Sequence, residues 1–548
     1  MTARVWLRVD PLFTADVKLL VSLFLPGAQF TSGAPATDAA LAQDELAIVA
    51  SIVCTAADVC ATVTLREMVN GLSALRETTR KLSRGERIGQ SEQRPLTSSA
   101  TSETPLPSTS SVTVETLRSD DPHTDRKLRV LMKRALRFAL HEALAATTGR
   151  RLTWGLLTGV RPVKLLHEWQ RQAGQKSEEA LRERLQREYL VSPERAALAA
   201  EIAVRERAAV PDLETLDREV SIYIGIPFCP THCAYCTFPA YSMVDKARYA
   251  FTFLDALLQE IKMVGRVLRE KRVGVTTVYV GGGTPSSLRP DEMRRLFDAL
   301  RTEVGGAWRE FCVEAGRADT ITPDRVAAMA EYGVDRVSVN PQSYHHRTLR
   351  MMGRGHSPEI IDRRFALVRE AGIRNINMDL ILGLPGETGD DVAYSVERTL
   401  ALDPDSVTLH TLSFKRSSEV TEKRESLVVP DDEAMLLMMR AADHAVRSAG
   451  LLPYYLYRQR DILGNLENVG YAKPGFEGIY NIAIIEEAQT IIALGGGAAS
   501  KWVEPVTRRI TRHDNPREPL AYVNAIERVL AVKERALIRI CEQIGAAH

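Results

Sequence analysis

The sequence has few cysteines, little net charge and no long apolar run. Seven cysteines among 548 residues, an odd number, exclude the paired framework of a small disulfide-stabilised secreted protein. A formal net charge of +1 provides no overall field that would attract nucleic acid or an anionic membrane. The longest apolar runs stay well below the roughly 18 residues that span a bilayer, so we expect no membrane span.

The amino-terminal stretch lacks the pattern of a secretory signal, because Asp10 and Asp16 interrupt it. We therefore expect a cytoplasmic protein whose thiols are reduced. Hydrophobic residues make up 45% and charged residues 26% of the chain, which is ordinary for a globular protein. A chain of this length exceeds a single core, which predicts about two to four domains.

A polar stretch separates a short amino-terminal part from the rest of the chain. Thirteen of the 26 residues from Ser91 to Thr116 are Ser or Thr, and no apolar face recurs among them. Such a stretch buries too little surface to offset its ordering entropy, so we predict a disordered linker. The predicted segments are a small domain at 1–88, the linker at 89–117, a helical extension at 118–215, and two further domains at 216–415 and 416–548.

Local patterns before residue 216 predict one strand and two helices. Val5, Leu7 and Val9 alternate like a strand, whereas the segment 44–63 fits either a helix or a strand. Helical periodicity covers 126–146 and 163–172. The first of these helices carries six basic residues, a pattern that an RNA-facing helix and a solvated face both show. No aromatic residues interleave the charges for base stacking, so we expect no nucleic-acid partner.

From Val220 onward, strand-like and helix-like runs alternate. The predicted strands are 220–226, 276–281, 310–315, 336–340, 375–382 and 406–412, and the predicted helices are 249–268, 290–304, 323–332, 358–371 and 390–402. This alternation predicts an α/β fold of parallel strands with right-handed crossovers. Six strands are too few for a closed eightfold barrel, so we predict a partial (β/α)₆ barrel, with an α-rich amino-terminal region and a small carboxy-terminal domain. In such folds the chemistry lies at the carboxyl ends of the strands.

Three cysteines follow the first of these strands with C-x₃-C-x₂-C spacing. Cys229, Cys233 and Cys236 can ligate three irons of a [4Fe–4S] cluster, which four cysteines normally hold. The fourth iron then remains open to a small-molecule ligand. A structural zinc site would need a fourth ligand, for which the nearest candidate is His232, and chance proximity is a third interpretation.

Polar residues and glycines stand at or just beyond the ends of the later strands. The second strand ends in Gly281-Gly-Gly-Thr-Pro285, whose N–H groups could bind a carboxylate. The third strand ends at Glu314, which could accept hydrogen bonds from ribose hydroxyls or form a surface ion pair. Asp379 lies inside the apolar fifth strand, where an unpaired carboxylate is costly, so we expect it to be paired or ligand-bound.

These motifs together resemble the radical S-adenosylmethionine (SAM) enzymes. The signature is Cys229-x₃-Cys233-x-Tyr235-Cys236. Within that superfamily the chain is similar to the oxygen-independent coproporphyrinogen III oxidase-like family, through Tyr223-Ile-Gly-Ile-Pro-Phe-Cys229, Gly281-Gly-Gly-Thr-Pro285, Gln342, Gly353-Arg-Gly-His356 and Asn377-Met-Asp-Leu-Ile381. The segments 157–162 and 463–471 resemble motifs of its long bacterial variant, which has an amino-terminal extension. The resemblance covers roughly residues 154–502.

The resemblance implies a [4Fe–4S] cluster and SAM as cofactors. Cys229, Cys233 and Cys236 would hold the cluster, and the segment 216–415 would be the radical SAM partial barrel. The cofactor-binding residues implied by the family motifs are Tyr223, Gly282, Gly283, Thr284, Glu314, Gln342, Arg354 and Asp379. Catalytic residues beyond these are not assigned.

The expected function is oxygen-independent oxidative decarboxylation of coproporphyrinogen III to protoporphyrinogen IX in haem biosynthesis, with electrons from a low-potential donor. Lys415, Arg416, Arg458 and Arg460 are candidates for binding the substrate carboxylates, or are ordinary surface charges. The family's enzymes often carry a further cysteine two residues after the triad, where this chain has Phe238. Haem-handling relatives share that departure, so the alternative is a haem-binding or haem-trafficking protein, with His356 and His410 as candidate haem ligands.

Overall fold

The structure is a computed structural model, and it describes residues 4–9, 11–25, 28–32, 45–54, 58–69, 72–83, 122–174, 177–237, 241–415 and 418–547. The predicted linker at 89–117 lies outside these residues, as do Phe238 and Arg416. The chain divides into two compact units, Met1–Thr158 with Glu179–Ala197 and Gly159–Glu178 with Leu198–His548. The five predicted segments stay predictions.

The elements before residue 210 include an amino-terminal sheet. They are β1 Arg4–Arg8, α1 Thr14–Phe24, β2 Gln29–Ser32, β3 Glu45–Cys54, β4 Asp58–Val69, β5 Leu72–Ser83, α2 Pro122–Thr148, α3 Pro162–Ala173, α4 Glu178–Tyr189 and α5 Pro193–Ala209. The strand order is β2-β1-β3-β4-β5, with β1 parallel to β2 and β3 and the remaining pairs antiparallel. The predicted strand at Val5–Val9 and both predicted helices are confirmed, and the segment 44–63 contains two strands.

The basic helix α2 packs an apolar face into the core of the first unit, through residues such as Leu136, Ala139 and Leu140. Several of its charges have intramolecular partners. Lys133 Nζ lies 3.0 Å from Asp16 Oδ2, and Arg137 donates to Thr158 Oγ1 at 2.5 Å. These charges therefore contribute to the packing of this unit.

The second unit is built on a long mixed sheet, whose elements follow in chain order. They are β6 Val220–Ile226, β7 Phe228–Cys229, β8 Tyr241–Ser242, α6 Met243–Lys271, β9 Val275–Gly282, α7 Pro290–Ala299, β10 Glu310–Glu314, α8 Pro323–Glu331, β11 Arg336–Ser338, α9 His346–Met351, α10 Pro358–Glu370, β12 Asn375–Leu382, α11 Gly389–Leu400, β13 Ser406–Thr411, α12 Glu419–Glu422, α13 Asp432–Ser448, β14 Leu452–Tyr457, β15 Asn468–Ala472, α14 Ile479–Ile485, β16 Thr490–Gly495, β17 Ala499–Val503, β18 Ile510–Asp514, α15 Pro519–Asn524 and α16 Ile526–Ala547. The sheet order is β14-β15-β13-β12-β11-β10-β9-β6-β16-β17-β18.

The six predicted strands form the parallel centre of this sheet, from β13 through β12, β11, β10 and β9 to β6. Strand β16 pairs in parallel with the other side of β6, an addition that the sequence analysis did not predict. Antiparallel strands complete both edges. In the described residues the sheet is open, so the partial-barrel α/β fold is confirmed.

Local sequence explains why the crossover helices begin where they do. Pro290, Pro323 and Pro358 each occupy the start of a helix, where the ring fixes a helical φ and the missing N–H costs nothing. The strands between them are almost fully buried, as expected for parallel strands covered on both faces. Among the described residues, no helix has the length and apolar character needed to cross a membrane.

Candidate active site

The three cysteines lie on the segment that follows β6. Cys229 and Cys233 are buried and Cys236 is half-buried. Two side chains point donors at their sulfurs: Thr284 Oγ1 lies 3.2 Å from Cys229 Sγ, and Arg317 Nη1 lies 3.4 Å from Cys233 Sγ. A guanidinium beside a sulfur favours the thiolate, the form that binds metal.

The spacing of the thiols distinguishes between the possible metal groups. Sulfurs bound tetrahedrally to zinc, at about 2.3 Å, lie roughly 3.8 Å apart. Within the described residues, the three Sγ atoms do not form a group in which all lie within 4.8 Å of one another. Burial first, and then repulsion by the other two cysteines, raise the pKa of Cys229 to about 11. The donor set therefore fits a larger group that displaces the thiol protons, as an iron–sulfur cluster does.

Strand β11 and the helix after it hold the cysteine loop. Ala234 N donates to Met352 O at 3.1 Å, and Thr231 Oγ1 donates to Gly353 O at 2.9 Å. Gly353 has φ +72°, and a Cβ at this position would lie 2.8 Å from His232 O. The Gly-Arg-Gly-His motif thus permits a close approach of backbone that any larger residue would block.

The glycine segment after β9 approaches the first cysteine. A Cβ on Gly283 would lie 2.6 Å from Phe228 O and 3.1 Å from Cys229 Sγ. Gly283 N donates to Ile226 O at 2.8 Å, and Thr284 N donates to Phe228 O at 2.7 Å. The expectation of free N–H groups on these two residues is therefore wrong, because the pairing with the cysteine-bearing segment uses them.

Glu314, at the end of β10, is a carboxyl group in an aromatic setting. The Tyr279 hydroxyl donates to Glu314 Oε1. Burial raises the pKa of Glu314 to about 7, the Tyr279 hydrogen bond opposes the rise and the charge of Asp379 adds to it. Tyr223 stacks on Tyr279 with ring centroids 6.1 Å apart, which places two of the predicted cofactor residues on one wall.

Arg354 is buried and bridges three elements. Its guanidinium donates to the Tyr235 hydroxyl at 2.9 Å, to Gly316 O at 2.8 Å and to Asn340 O at 2.6 Å. The predicted contact of Arg354 with a carboxylate stays a prediction. The bonds described here fix the aromatic ring that precedes the third cysteine.

Gln342 and Asp379 are joined through the backbone of β12. Gln342 N donates to Asp379 O at 2.9 Å, and Gln342 has φ +66°, a strained conformation that is most common at functional sites. The Asp379 carboxylate accepts from Asn377 Nδ2 at 2.7 Å and lies 3.6 Å from His410 Nε2. Burial alone would raise the pKa of Asp379, but hydrogen bonds and charge from His410 lower it.

A cavity of about 500 Å³ opens near the carboxyl end of β13. Its lining includes three of the predicted substrate-binding cations, Lys415, Arg458 and Arg460, together with Arg161 from the Leu-Thr-Gly-Val-Arg-Pro segment. Burial lowers the pKa of Arg458 to about 10, which still leaves the side chain cationic at neutral pH. The fourth predicted cation, Arg416, lies outside the described residues.

The two candidate haem ligands differ in position. His356 is buried, with Nδ1 3.9 Å from Asp319 Oδ1. His410 is half-buried, and its Nδ1 lies 3.3 Å from the hydroxyl of Tyr457, which lines the cavity. Of the two, His410 is the one that contacts a lining residue.

Sequence reasoning did not assign roles to several residues of this site. Arg317, Asn340 and Tyr457 contact predicted site residues or line the cavity. A polar residue just past a strand end was the available signal for Arg317 and Asn340. Nothing in the local sequence indicates that Tyr457 approaches His410.

Comparisons with known proteins agree with this arrangement. A profile of the Radical SAM superfamily matches residues 223–398. "Oxygen-independent coproporphyrinogen-III oxidase-like protein HemZ" of Bacillus subtilis (strain 168) is 45% identical over 427 residues, which are 78% of this chain and 85% of that protein. "Heme chaperone HemW" of Escherichia coli (strain K12) is 27% identical over 305 residues, covering 56% of this chain and 75% of that protein. A solved structure of coproporphyrinogen III oxidase (HemN) from Escherichia coli has 22% identity, covers 60% of this chain and 73% of that chain, and has a TM-score of 0.46.

The superfamily match and the identity over most of both chains establish the family. Radical SAM proteins use a [4Fe–4S] cluster and SAM, which are therefore the cofactors of this chain. The chain belongs to the radical SAM superfamily and, within it, to the oxygen-independent coproporphyrinogen III oxidase-like family.

Proposed function

We propose that this protein oxidatively decarboxylates propionate side chains of coproporphyrinogen III to vinyl groups. The observation that carries the proposal is the cavity lined by Arg161, Lys415, Arg458 and Arg460. A tetracarboxylate substrate needs several cationic partners, and guanidinium groups bind carboxylates through paired charge-assisted hydrogen bonds. The cavity volume of about 500 Å³ lies within the range of small-molecule sites.

A chain of contacts connects this cavity with the predicted cofactor residues. Tyr457 lines the cavity and lies 3.3 Å from His410, and His410 lies 3.6 Å from Asp379. On another side, Phe414 lines the cavity and belongs to the apolar cluster against which Tyr235 packs. A propionate held by the cations would thus lie beside the cysteine loop and the Asp379 region.

The residues of the chain have separable roles in this proposal. Cys229, Cys233 and Cys236 hold the cluster, and Glu314 and Asp379 hold SAM through its hydroxyl and amino groups. When bound, the cluster and SAM supply the one-electron chemistry that removes a hydrogen atom from a substrate carbon. Buried walls around the cysteine loop exclude water from that reaction.

The net change at each propionate balances as follows. One hydrogen atom leaves the side chain, the carboxylate departs as carbon dioxide, and one electron passes to a one-electron acceptor. A double bond forms between the two remaining carbons.

Anaerobic turnover of the cluster-loaded protein with coproporphyrinogen III, SAM and a low-potential reductant tests the proposal. We expect carbon dioxide release and products that carry vinyl groups in place of propionates. SAM cleavage without any decarboxylated porphyrinogen would reject the substrate, while leaving the radical SAM assignment intact.

Two observations support a second function, the binding or transfer of haem. The relatives include haem chaperones, and the half-buried His410 contacts the cavity-lining Tyr457. A haem-handling protein would bind haem stably and form no product from coproporphyrinogen III. Loss of the haem absorption spectrum in His410→Ala but not in His346→Ala, an exposed histidine, would support this function and identify the ligand.

A further inference from the structure

Three buried ligand-type side chains meet away from the cysteine loop, within the second unit. His167 lies on α3, Glu206 on α5, and Glu486 directly after α14. They are only 2%, 0% and 4% exposed. One nitrogen or oxygen from each lies within 4.8 Å of those of the other two, and His167 Nε2 is 2.5 Å from Glu206 Oε2.

Most of the remaining polar atoms of this triad have no hydrogen-bond partner in the described structure. These atoms are His167 Nδ1, Glu206 Oε1 and both carboxylate oxygens of Glu486. An unsatisfied buried polar group costs roughly 1–3 kcal/mol, and more if it is charged. Two facing carboxyls with orphaned oxygens are therefore an expensive arrangement unless a cation binds between them.

Nearby basic side chains pair with other acidic groups. Arg161 Nη1 lies 3.2 Å from Glu487 Oε1, and Lys164 Nζ lies 2.5 Å from Glu487 Oε2. Arg207 pairs with the half-exposed Glu214. These contacts are with neighbouring carboxylates and leave the orphaned oxygens of the triad unsatisfied.

We propose that His167, Glu206 and Glu486 bind a divalent first-row transition-metal ion. Imidazole and carboxylate ligands suit Zn²⁺, Mn²⁺ and Fe²⁺, whereas Ca²⁺ and Mg²⁺ prefer oxygen alone. Metal–ligand bonds of about 2.0–2.1 Å place tetrahedral ligand atoms roughly 3.3 Å apart. The triad atoms span a range of separations that small side-chain rotations bring to this value.

The ion would have a structural role. It would join α3, α5 and the end of α14, three elements whose neighbouring residues Arg161 and Ile485 line the cation-rich cavity. Without the ion, burial raises the pKa of Glu486 to about 8 and lowers that of His167 to about 3, so protons would occupy the site and binding would release them. The site is chemically distinct from the cysteine loop, because it offers nitrogen and oxygen rather than sulfur.

The test uses the full chain with its cluster reconstituted, so that the three cysteines are occupied. After chelation of adventitious metal, the protein is titrated anaerobically with Mn²⁺, followed by the EPR signal of the free ion, and with Zn²⁺, followed by elemental analysis. His167→Gln and Glu486→Gln remove ligands, and Glu214→Gln is the matched control. Changes in residues around a metal's ligands cost 10–100-fold in affinity, so we expect loss of a ligand to cost at least about 100-fold.

The proposal predicts about one ion per chain in the parent and the control, and loss of that ion in both ligand variants. Equal uptake by parent and ligand variants, or no uptake by the parent, would overturn it. If a ligand variant fails to fold, the parent alone decides. Its thermal unfolding midpoint should fall on chelation and recover with Zn²⁺, and an unchanged midpoint would reject the site.

Discussion

Arg458 gives the sharpest test of the cavity as a carboxylate site. It is 5% exposed, lines the cavity and is held from the side by Asn465, whose Oδ1 accepts from its guanidinium at 2.5 Å. Replacement by glutamine removes the charge and keeps much of the volume. A hydrogen bond to a charged group contributes about 1.5–3 kcal/mol, so kcat/KM for coproporphyrinogen III should fall by about 10- to 150-fold.

The change should appear mainly in KM. The carboxylates that remain on the substrate are bound alike before and during the reaction, so uniform binding is lost and kcat is retained. The assay is the anaerobic rate of carbon dioxide release at several substrate concentrations. Arg294→Gln is the control, because Arg294 forms an exposed ion pair with Glu331 away from the cavity.

Two further measurements separate this effect from a folding defect. The Arg458→Gln variant should keep the parent's thermal unfolding midpoint to within a few degrees, and SAM cleavage in the absence of porphyrinogen should continue. A KM within twofold of the parent's, in a folded variant, would contradict the assignment of the cavity to substrate carboxylates.

Three other outcomes follow from the structure. Lys533→Met should destabilise the protein by about 3–5 kcal/mol in denaturant unfolding, because Lys533 and Glu260 form a pair that is 0% exposed on both sides; the Lys533→Met/Glu260→Gln double variant should recover much of the loss, and an unchanged unfolding midpoint in the single variant would refute the reasoning. Gly283→Ala should lower the iron content after reconstitution, since its Cβ would crowd Phe228 O and Cys229 Sγ, while Gly306→Ala, where a Cβ meets nothing within 4 Å, should load as the parent does; equal iron in both would count against this packing. Because burial raises the pKa of Glu314 to about 7, this carboxyl is protonated below that pH and ionised above it, so SAM affinity measured by calorimetry should rise as pH increases through about 7 and should be flat in Glu314→Gln; an equal slope in the variant would exclude Glu314 as the ribose ligand.

The sequence predicts the parallel centre of the fold well, because buried parallel strands and amphipathic helices leave a strong local pattern. Strands β6 and β12 have the predicted bounds. The pairing of β16 with β6 is not encoded in either strand alone. It depends on which edge of the sheet the chain reaches after more than two hundred residues, and local periodicity carries no such information.

The candidate site divides in the same way. The cysteine spacing and the glycine segment are local motifs, and the structure brings Cys229 and Thr284 into contact. The donation from Arg317 to Cys233 and the presence of Arg161 in the cavity wall depend on tertiary packing between distant segments. Residue type alone could nominate such cations, but it could not distinguish them from surface charges.

Deuterium transfer tests the central claim most directly. Coproporphyrinogen III deuterated on the propionate carbon next to the ring would be turned over anaerobically by the cluster-loaded protein, and the 5′-deoxyadenosine produced would be analysed by mass spectrometry. We predict that the 5′-deoxyadenosine carries one deuterium and that vinyl-bearing product accumulates with it. Unlabelled 5′-deoxyadenosine at the same yield, with the substrate unchanged, would contradict the account.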